Sequence, residues 1–513
     1  MKLLKLLLVL ISIFSISVYI RAPYIEKEVH PNNETSIIML TVLENWQLKG
    51  ISNYYFAPVI TWQNDGDKYM ANYKRLEDNR GNNYYVSYPP MAFIFPYIVS
   101  SFFNIVPNQI LLQILNIILH FISAFMVYLI ICKYFKKNPL LVYDAAIVGF
   151  ISYTFIPVLL YTHTFDFFSE MMGQVFFLLG IYLFQLLEAK KDIPNNKLLL
   201  LFGLNIFILI YTEWIGIFFA FTLLFISITN YRKEIIYQKL IKTICLFSLL
   251  SILLIISQYN NINGFSNLAR SLSLRFLERS GLFGKHYSDL GISYTNPNSY
   301  LLLFQQVHQT LIGFGYIAIL LLLWWLIKTK YHIKRLFSIN VLIIIILFPV
   351  ILTFFVFFNA TVIHYNWWAR FGLIISIIIG LLFNKLFDKP TNLKNRILLG
   401  FIEIIVITVT IAFSIISFRN HAKFISTESP KLKYISTIVK QNSHDNESIF
   451  ISLPIDMNYY NTYLCYMCKR NMVNVPNFED ANKILKEKHK VKGVFYTFEN
   501  QSNQYTVKHF ELK

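Results

Sequence analysis

Long apolar runs alternate with short polar segments along most of this chain, and the alternation stops near Arg419. Each run is about 20 residues long, the length of a helix that crosses a bilayer. Lys2–Ile20, Gln109–Cys132, Leu140–Tyr161 and Phe168–Leu187 each predict one span. So do Leu240–Ser257, Leu303–Ile327, Leu336–Phe358, Ala369–Phe387 and Ile397–Phe418. Leu198–Ile228 is too long for one helix and is interrupted by Tyr211-Thr212-Glu213-Trp214, which predicts two short spans. Met91–Val106 is apolar but short and follows Pro89-Pro90, which predicts an interfacial or re-entrant segment. The sum is eleven spans.

The polar segments KYFKK, EAKKDIPNNK, NYRKEIIYQK, KTKYHIKR and NKLFDKPTNLKNR are all basic. Lys and Arg accumulate in cytoplasmic loops, so these segments predict the inner side. The N-terminus is then cytoplasmic and the C-terminus extracytoplasmic. Tyr19-Ile20-Arg21-Ala22-Pro23 is bulky and offers no small-residue cleavage site, so the first run reads as a retained helix. Beyond Arg419, strand-like runs (Ser448–Leu453, Val494–Phe498) flank a helix-like stretch, Glu479–His489. The expected fold is an all-α polytopic membrane bundle over residues 1–418, followed by a small extracytoplasmic α/β domain over 419–513.

Composition sharpens this picture. Of 513 residues 55% are hydrophobic and only 14% charged, against about 25% charged in soluble domains. The net charge of +18 would suggest nucleic acid in a soluble protein. Here most cations sit in the inner segments, so no nucleic-acid partner is expected; the membrane lipids are. Cys132 and Cys245 lie in apolar runs. Cys465 and Cys468 form a single CxxC, which leaves a local disulfide open but lacks a second pair for zinc.

Candidate chemistry concentrates in the first outer loop, Arg21–Pro90, which opens RAPYIEKEVHPNNETS and closes YYVSYPP. Glu26, Glu28 and Glu34 fall within nine residues, with His30 among them. Glu34 is the candidate base. A carboxylate there can take a proton from a hydroxyl or amine, or hold a divalent cation. It can equally cap, or sit solvated at the start of, the amphipathic run Thr35–Trp46. No other cofactor is expected. Three more outer features join it: the turn His163-Thr164-Phe165-Asp166, the loop Gln258–Tyr300, and Ile363-His364-Tyr365-Asn366-Trp367-Trp368 with Arg370. Glu213 lies at an outer turn. Asp166 is a site carboxylate or a cap for a helix starting at Phe167. The loop holds Arg270, Arg275, Arg279, Lys285 and His286. Cations on that side run against the inside bias and predict an anionic ligand such as a lipid phosphate. The spacing of Arg270, Leu274 and Leu277 also fits an amphipathic interfacial helix. There is no glycine-rich phosphate loop, HExxH or nucleophile elbow, so soluble nucleotide chemistry has no support.

At these residues the chain resembles the GT-C class of integral membrane glycosyltransferases, in particular the family of protein O-mannosyltransferases and the lipid A aminoarabinose transferase. RAPYIEKEVHPNNET is similar to that family's acidic motif after the first helix, with Glu34 at the acidic position and Asn33 where a second carboxylate is usual. Tyr88-Pro89-Pro90 resembles its Pro-Pro segment, YTHTFDFFSEMMGQVFFLLGIYLF its acidic outer turn, and HYNWWARF its late His-containing segment. The resemblance spans residues 1–420 and implies a polyprenyl-phosphate sugar as donor and a lipid, glycan or protein as acceptor, on the outer face of a bacterial inner membrane. It implies Glu34 and Asp166 as catalytic carboxylates. By their position in the outer segments, Glu26, His30, Tyr88, Arg270, Arg275, Arg279, Lys285, His364, Tyr365 and Arg370 are the candidates to bind substrate. A surface-polysaccharide transporter, flippase or polymerase is the alternative, and a membrane scaffold binding through the tail is a third. A transporter calls for charged or broken helices at mid-membrane and often for repeated halves; neither is evident in the sequence.

Overall fold

The structure is a computed structural model. It describes residues 2–64, 66–68, 76–135, 144–189, 195–232, 234–282, 291–328, 341–387, 393–427, 429–453, 460–488, 492–501 and 504–512. Lys285, His286 and most of the basic inner segments lie outside the described residues.

Helices dominate. α1 (Lys2–Arg21), α4 (Gln109–Tyr134) and α7 (Ser169–Glu188) are long and apolar enough to cross a membrane, as are three later helices. Among the described residues six helices meet that test, and eight if each of two bent pairs counts as one span. The chain is an integral membrane protein. Shorter apolar helices include α3 (Met91–Phe102), α8 (Asn196–Thr212) and α9 (Ile215–Thr229). At 1.5 Å per residue the 12 residues of α3 reach about 18 Å, short of a hydrocarbon core of about 30 Å.

The breaks have local causes. α5 (Asp144–Phe155) and α6 (Pro157–Phe165) meet at 55°. Pro157 lacks an N–H and drives Ile156 out of the helical region, to ψ 130°. α8 and α9 part where Glu213 is extended, at φ −154°. α11 (Pro297–Leu311) and α12 (Phe314–Lys328) turn by 98° across Gly313, whose φ of 82° suits a residue without Cβ.

Of the two readings of the segment after Gln258, the helical one holds over residues 258–280: α10 runs from Ile235 to Ser280, interrupted by non-helical angles at Asn263 and Gly264. Arg270, Leu274 and Leu277 lie in the stretch after that interruption, where the backbone is helical to Ser280.

The described chain falls into two compact units. The first takes in Met1–Ile25, Gln113–Ile255 and Leu274–Ala422. Within it α5 lies against the helix Ala369–Phe387 at glycines: a Cβ on Gly380 would come within 2.9 Å of Ala145 O and 3.3 Å of Gly149 Cα. Small residues at such a crossing let two backbones approach inside a membrane.

The second unit takes in Glu26–Leu112, Ile256–Ser273 and Lys423–Lys513. α2 (Glu34–Lys49) is its central helix in the first segment, buried along most of its length. A short hairpin pairs β1 (Leu76–Glu77) with β2 (Asn83–Tyr84). The tail forms a four-stranded sheet of β3 (Ser448–Ser452), β4 (Met472–Asn474), β5 (Gly493–Gln501) and β6 (Gln504–Leu512), in the order β4-β3-β5-β6. β3 is parallel to β4 and β5, and β6 closes an antiparallel edge on β5. Parallel neighbours need crossovers, and the helices Asn461–Cys468 and Phe478–Glu487 supply them. Phe450, Val473, Ala481, Leu485 and Phe495 form the core between sheet and helix.

Candidate functional site

The second unit carries an open cleft, about 600 Å³ when the solvent-open space above it is included. α2 contributes Glu34, Ile38 and Thr41, one turn apart on one helix face. Ile60, Thr61, Trp62 and Asn83 form a second side. Thr462, Cys465, Asn471 and Met472 come from the tail.

Backbone pairing holds the second side. Ile60 N donates to Asn83 O at 2.9 Å, Tyr85 N to Pro58 O at 2.8 Å, and Asn83 N to Thr61 Oγ1 at 2.6 Å. Asn471 clamps the main chain of Trp62: its Oδ1 accepts from Trp62 N at 2.9 Å and its Nδ2 donates to Trp62 O at 2.8 Å. The same Nδ2 lies 2.7 Å from Asp67 Oδ1. Burial pushes the Asp67 carboxyl up to about 6, against the opposing pull of Arg470. Lys469 sits 4.7 Å from the Trp62 ring centroid and bonds Glu44 at 2.5 Å.

The three acidic side chains of the first polar segment end in different states. Glu26 Oε2 lies 2.8 Å from His30 Nε2. Glu28 pairs with Lys433 at 3.1 Å on the surface. Glu34 is exposed, lines the cleft and has no hydrogen bond or ion pair among the described residues. It does not cap α2. Asn33 does, its Oδ1 accepting from Ser36 N at 3.2 Å and from Thr35 Oγ1 at 3.1 Å. Glu34 is therefore the first residue of the helix, where the positive end of the dipole favours a carboxylate. Tyr88 is buried; its carbonyl accepts from Tyr259 Oη at 3.4 Å. Arg270 is exposed on α10.

The remaining sequence candidates belong to the first unit. Asp166 ends α6, and the next helix starts at Ser169, not at Phe167, with Phe168 as its N-cap residue. His163 lies in the last turn of α6, fully buried, and not in an open turn. Arg275 pairs with Glu278 at 2.6 Å, and Arg279 lies 5.8 Å from the Trp367 ring centroid. Arg370 bonds Glu213, both side chains buried, and stacks 4.2 Å over Trp367. Tyr365 stacks on His421 at 4.3 Å and meets Tyr161 edge-on. His364 is exposed at the end of the short helix before it.

Two features escaped the sequence. Arg21 is not the start of a polar loop. It is fully buried, donating to Ser17 O at 3.0 Å and bonded to His120 Nδ1 at 3.1 Å. The His120 ring stacks on His163 at 4.4 Å, and His163 reaches Asn116 at 3.2 Å. His120 in an apolar run was the available signal, since ionisable groups at that depth are rare and partnered. The cleft could not be read at all, because its three sides come from segments far apart in sequence.

Among the described residues no group of three or more His, Cys, Asp or Glu could hold a metal ion. Cys465 and Cys468 are free thiols, and burial pushes both up to about 12.

No family model and no curated protein sequence matches this chain. Solved structures match by fold. The Archaeoglobus fulgidus oligosaccharyltransferase in its apo form is 11% identical, with a TM-score of 0.60 over 96% of this chain and 69% of that one. Its complex with Zn and sulfate is 13% identical at a TM-score of 0.59, covering 95% of this chain and 68% of that one. ArnT from Cupriavidus metallidurans bound to undecaprenyl phosphate is 10% identical at a TM-score of 0.60, covering 95% of this chain and 92% of that one. The fold is that of the GT-C glycosyltransferases, as the sequence resemblance implied.

Proposed function

We propose that this protein transfers a sugar from a polyprenyl-phosphate donor to a hydroxyl or amine of a lipid, glycan or protein acceptor, with Glu34 as general base. One observation carries the reading. Of the three carboxylates that follow the first helix, Glu34 has no partner among the described residues and lines a cleft. The fold adds weight, because the structures it resembles are glycosyltransferases, one of them bound to undecaprenyl phosphate.

For a hydroxyl acceptor the step balances as follows. The acceptor O–H gives its proton to the Glu34 carboxylate while its oxygen bonds the anomeric carbon. The bond from that carbon to the phosphate oxygen breaks, and its electron pair leaves with the polyprenyl phosphate. Positive charge near the departing phosphate lowers the barrier. Arg270, exposed on α10 and in the same unit as Glu34, is the proposed source. The described cleft offers one carboxylate, which does not make a divalent-cation site, so no step runs through a metal. In this reading the chain crosses a bacterial inner membrane eleven times, from a cytoplasmic N-terminus to an extracytoplasmic tail.

The test is transfer by the purified full chain, supplied with radiolabelled polyprenyl-phosphate sugars and a membrane lipid extract. Label should leave the donor. Loss of the base costs about 10²–10⁴-fold in rate, so Glu34→Gln should lower transfer by that factor at unchanged abundance in the membrane. Near-normal transfer by Glu34→Gln would move the base elsewhere, with Asp166 and Glu26 next.

A further inference from the structure

The cleft beside Glu34 has a chemistry of its own. Its described lining holds no Lys, Arg or His. The two cations that precede Asn471 in the chain are committed elsewhere: Lys469 to Glu44 and Arg470 to Asp67. The Cys465 thiol is neutral at physiological pH, because burial pushes it up to about 12. A donor sugar is bonded directly to phosphate, so a pocket for it would hold a cation within reach. This one offers the hydroxyls of Thr41, Thr61 and Thr462 and the amide of Asn83 between apolar Ile38 and Met472. Neutral donors and acceptors interleaved with apolar surface match the alternating O–H and C–H groups of a sugar ring.

Asn83 is the sharpest of these. It is 1% exposed, it lines the cleft, and among the described residues its Oδ1 has no hydrogen-bond partner. Its main chain is fixed on both sides, by Ile60 N and by Thr61 Oγ1. Native structures rarely leave a buried amide oxygen unbonded, and a turn of the amide about its soft χ2 would present this one to a ligand O–H in the cleft.

We infer that the cleft binds a neutral saccharide as the acceptor, with Asn83 Oδ1 accepting a hydrogen bond from one ring hydroxyl and Glu34 beside the hydroxyl that is glycosylated. The role of Glu34 rests on the transferase reading; the binding of a saccharide does not.

Saturation-transfer NMR on the full chain in lipid nanodiscs tests this without donor or turnover. The probes are methyl glycosides of glucose, galactose, mannose and N-acetylglucosamine, with glycerol phosphate as an anionic probe. At least one glycoside should receive saturation and glycerol phosphate none. Asn83→Ala should weaken binding by roughly tenfold, the worth of one hydrogen bond to a buried group. Any fall in its melting temperature should reflect lost packing alone, because among the described residues Oδ1 has no hydrogen bond to lose. Thr462→Val, which removes one hydroxyl at constant shape, should weaken binding alike and serves if Asn83→Ala does not fold. No saturation of any glycoside, saturation unchanged by both substitutions, or saturation of glycerol phosphate overturns the inference. In the transfer assay Asn83→Ala should raise the acceptor KM and leave the donor KM alone; the reverse pattern overturns the acceptor assignment.

Discussion

Arg470 and Asp67 form an ion pair sealed from solvent, 403 residues apart in the chain, with side chains 5% and 0% exposed. The guanidinium also donates to His444 O at 2.9 Å and Glu447 O at 2.8 Å. Through Asn471 the pair reaches the main chain of Trp62 and so braces one side of the cleft.

The pair gives stability a pH dependence. Burial raises the Asp67 carboxyl to about 6, whereas in the unfolded chain it titrates near about 4. Between those values the native state holds a proton that the unfolded state has released. Stability falls with rising pH wherever the native state binds more protons. The contribution is therefore full below pH of about 4 and lost as pH rises through about 6. Melting temperatures of the wild type and Asp67→Asn, measured across that window, should differ by a term that declines with pH. A term that rises would show that Arg470 outweighs burial.

Asn33 holds the first turn of α2, and with it Glu34. Asn33→Ala should cost about 1 kcal/mol, the usual worth of an N-cap, while Asn33→Asp should retain the cap. Denaturation of the two variants in detergent checks the order. Equal stability would mean that packing alone fixes this end of the helix.

Glu213 and Arg370 neutralise one another inside the first unit. Arg370→Ala should cost about 3–5 kcal/mol, because it strands a buried carboxylate. The double variant Glu213→Leu, Arg370→Met should recover most of that. If Arg370→Ala melts normally and instead raises the donor KM, the arginine serves the phosphate and not the fold.

Orientation is open to direct measurement. Reporter fusions after Lys137, Lys191, Lys233, Arg335 and Lys394 should read cytoplasmic, and one after Lys431 external. A cytoplasmic tail would put the cleft on the wrong face for a lipid-linked donor used outside.

The sequence by itself determined the helical membrane class and most helix positions, because an apolar run of sufficient length has few other stable states in lipid. It also determined one local stop, the polar interruption at Glu213 that parts α8 from α9. The breaks at Pro157 and Gly313 fall inside Leu140–Tyr161 and Leu303–Ile327, each of which reads in the sequence as one span. The tail strands at Ser448–Ser452 and Gly493–Gln501 were legible as β-branched and aromatic runs. At Gln258–Ser280 the sequence left a polar loop and an amphipathic helix both open, and the structure has the helix.

Tertiary structure alone decided which polar groups are occupied. Glu26, Glu28 and Glu34 are equivalent as letters, yet one bonds His30, one bonds Lys433 and one lines a cleft. Arg21 read as the start of a solvent loop and is fully buried against His120. Hydrophobic patterning reports whether a segment prefers lipid or water. It does not report which side chain from a hundred or four hundred residues away will satisfy a given charge, and that pairing decides which groups remain available for chemistry.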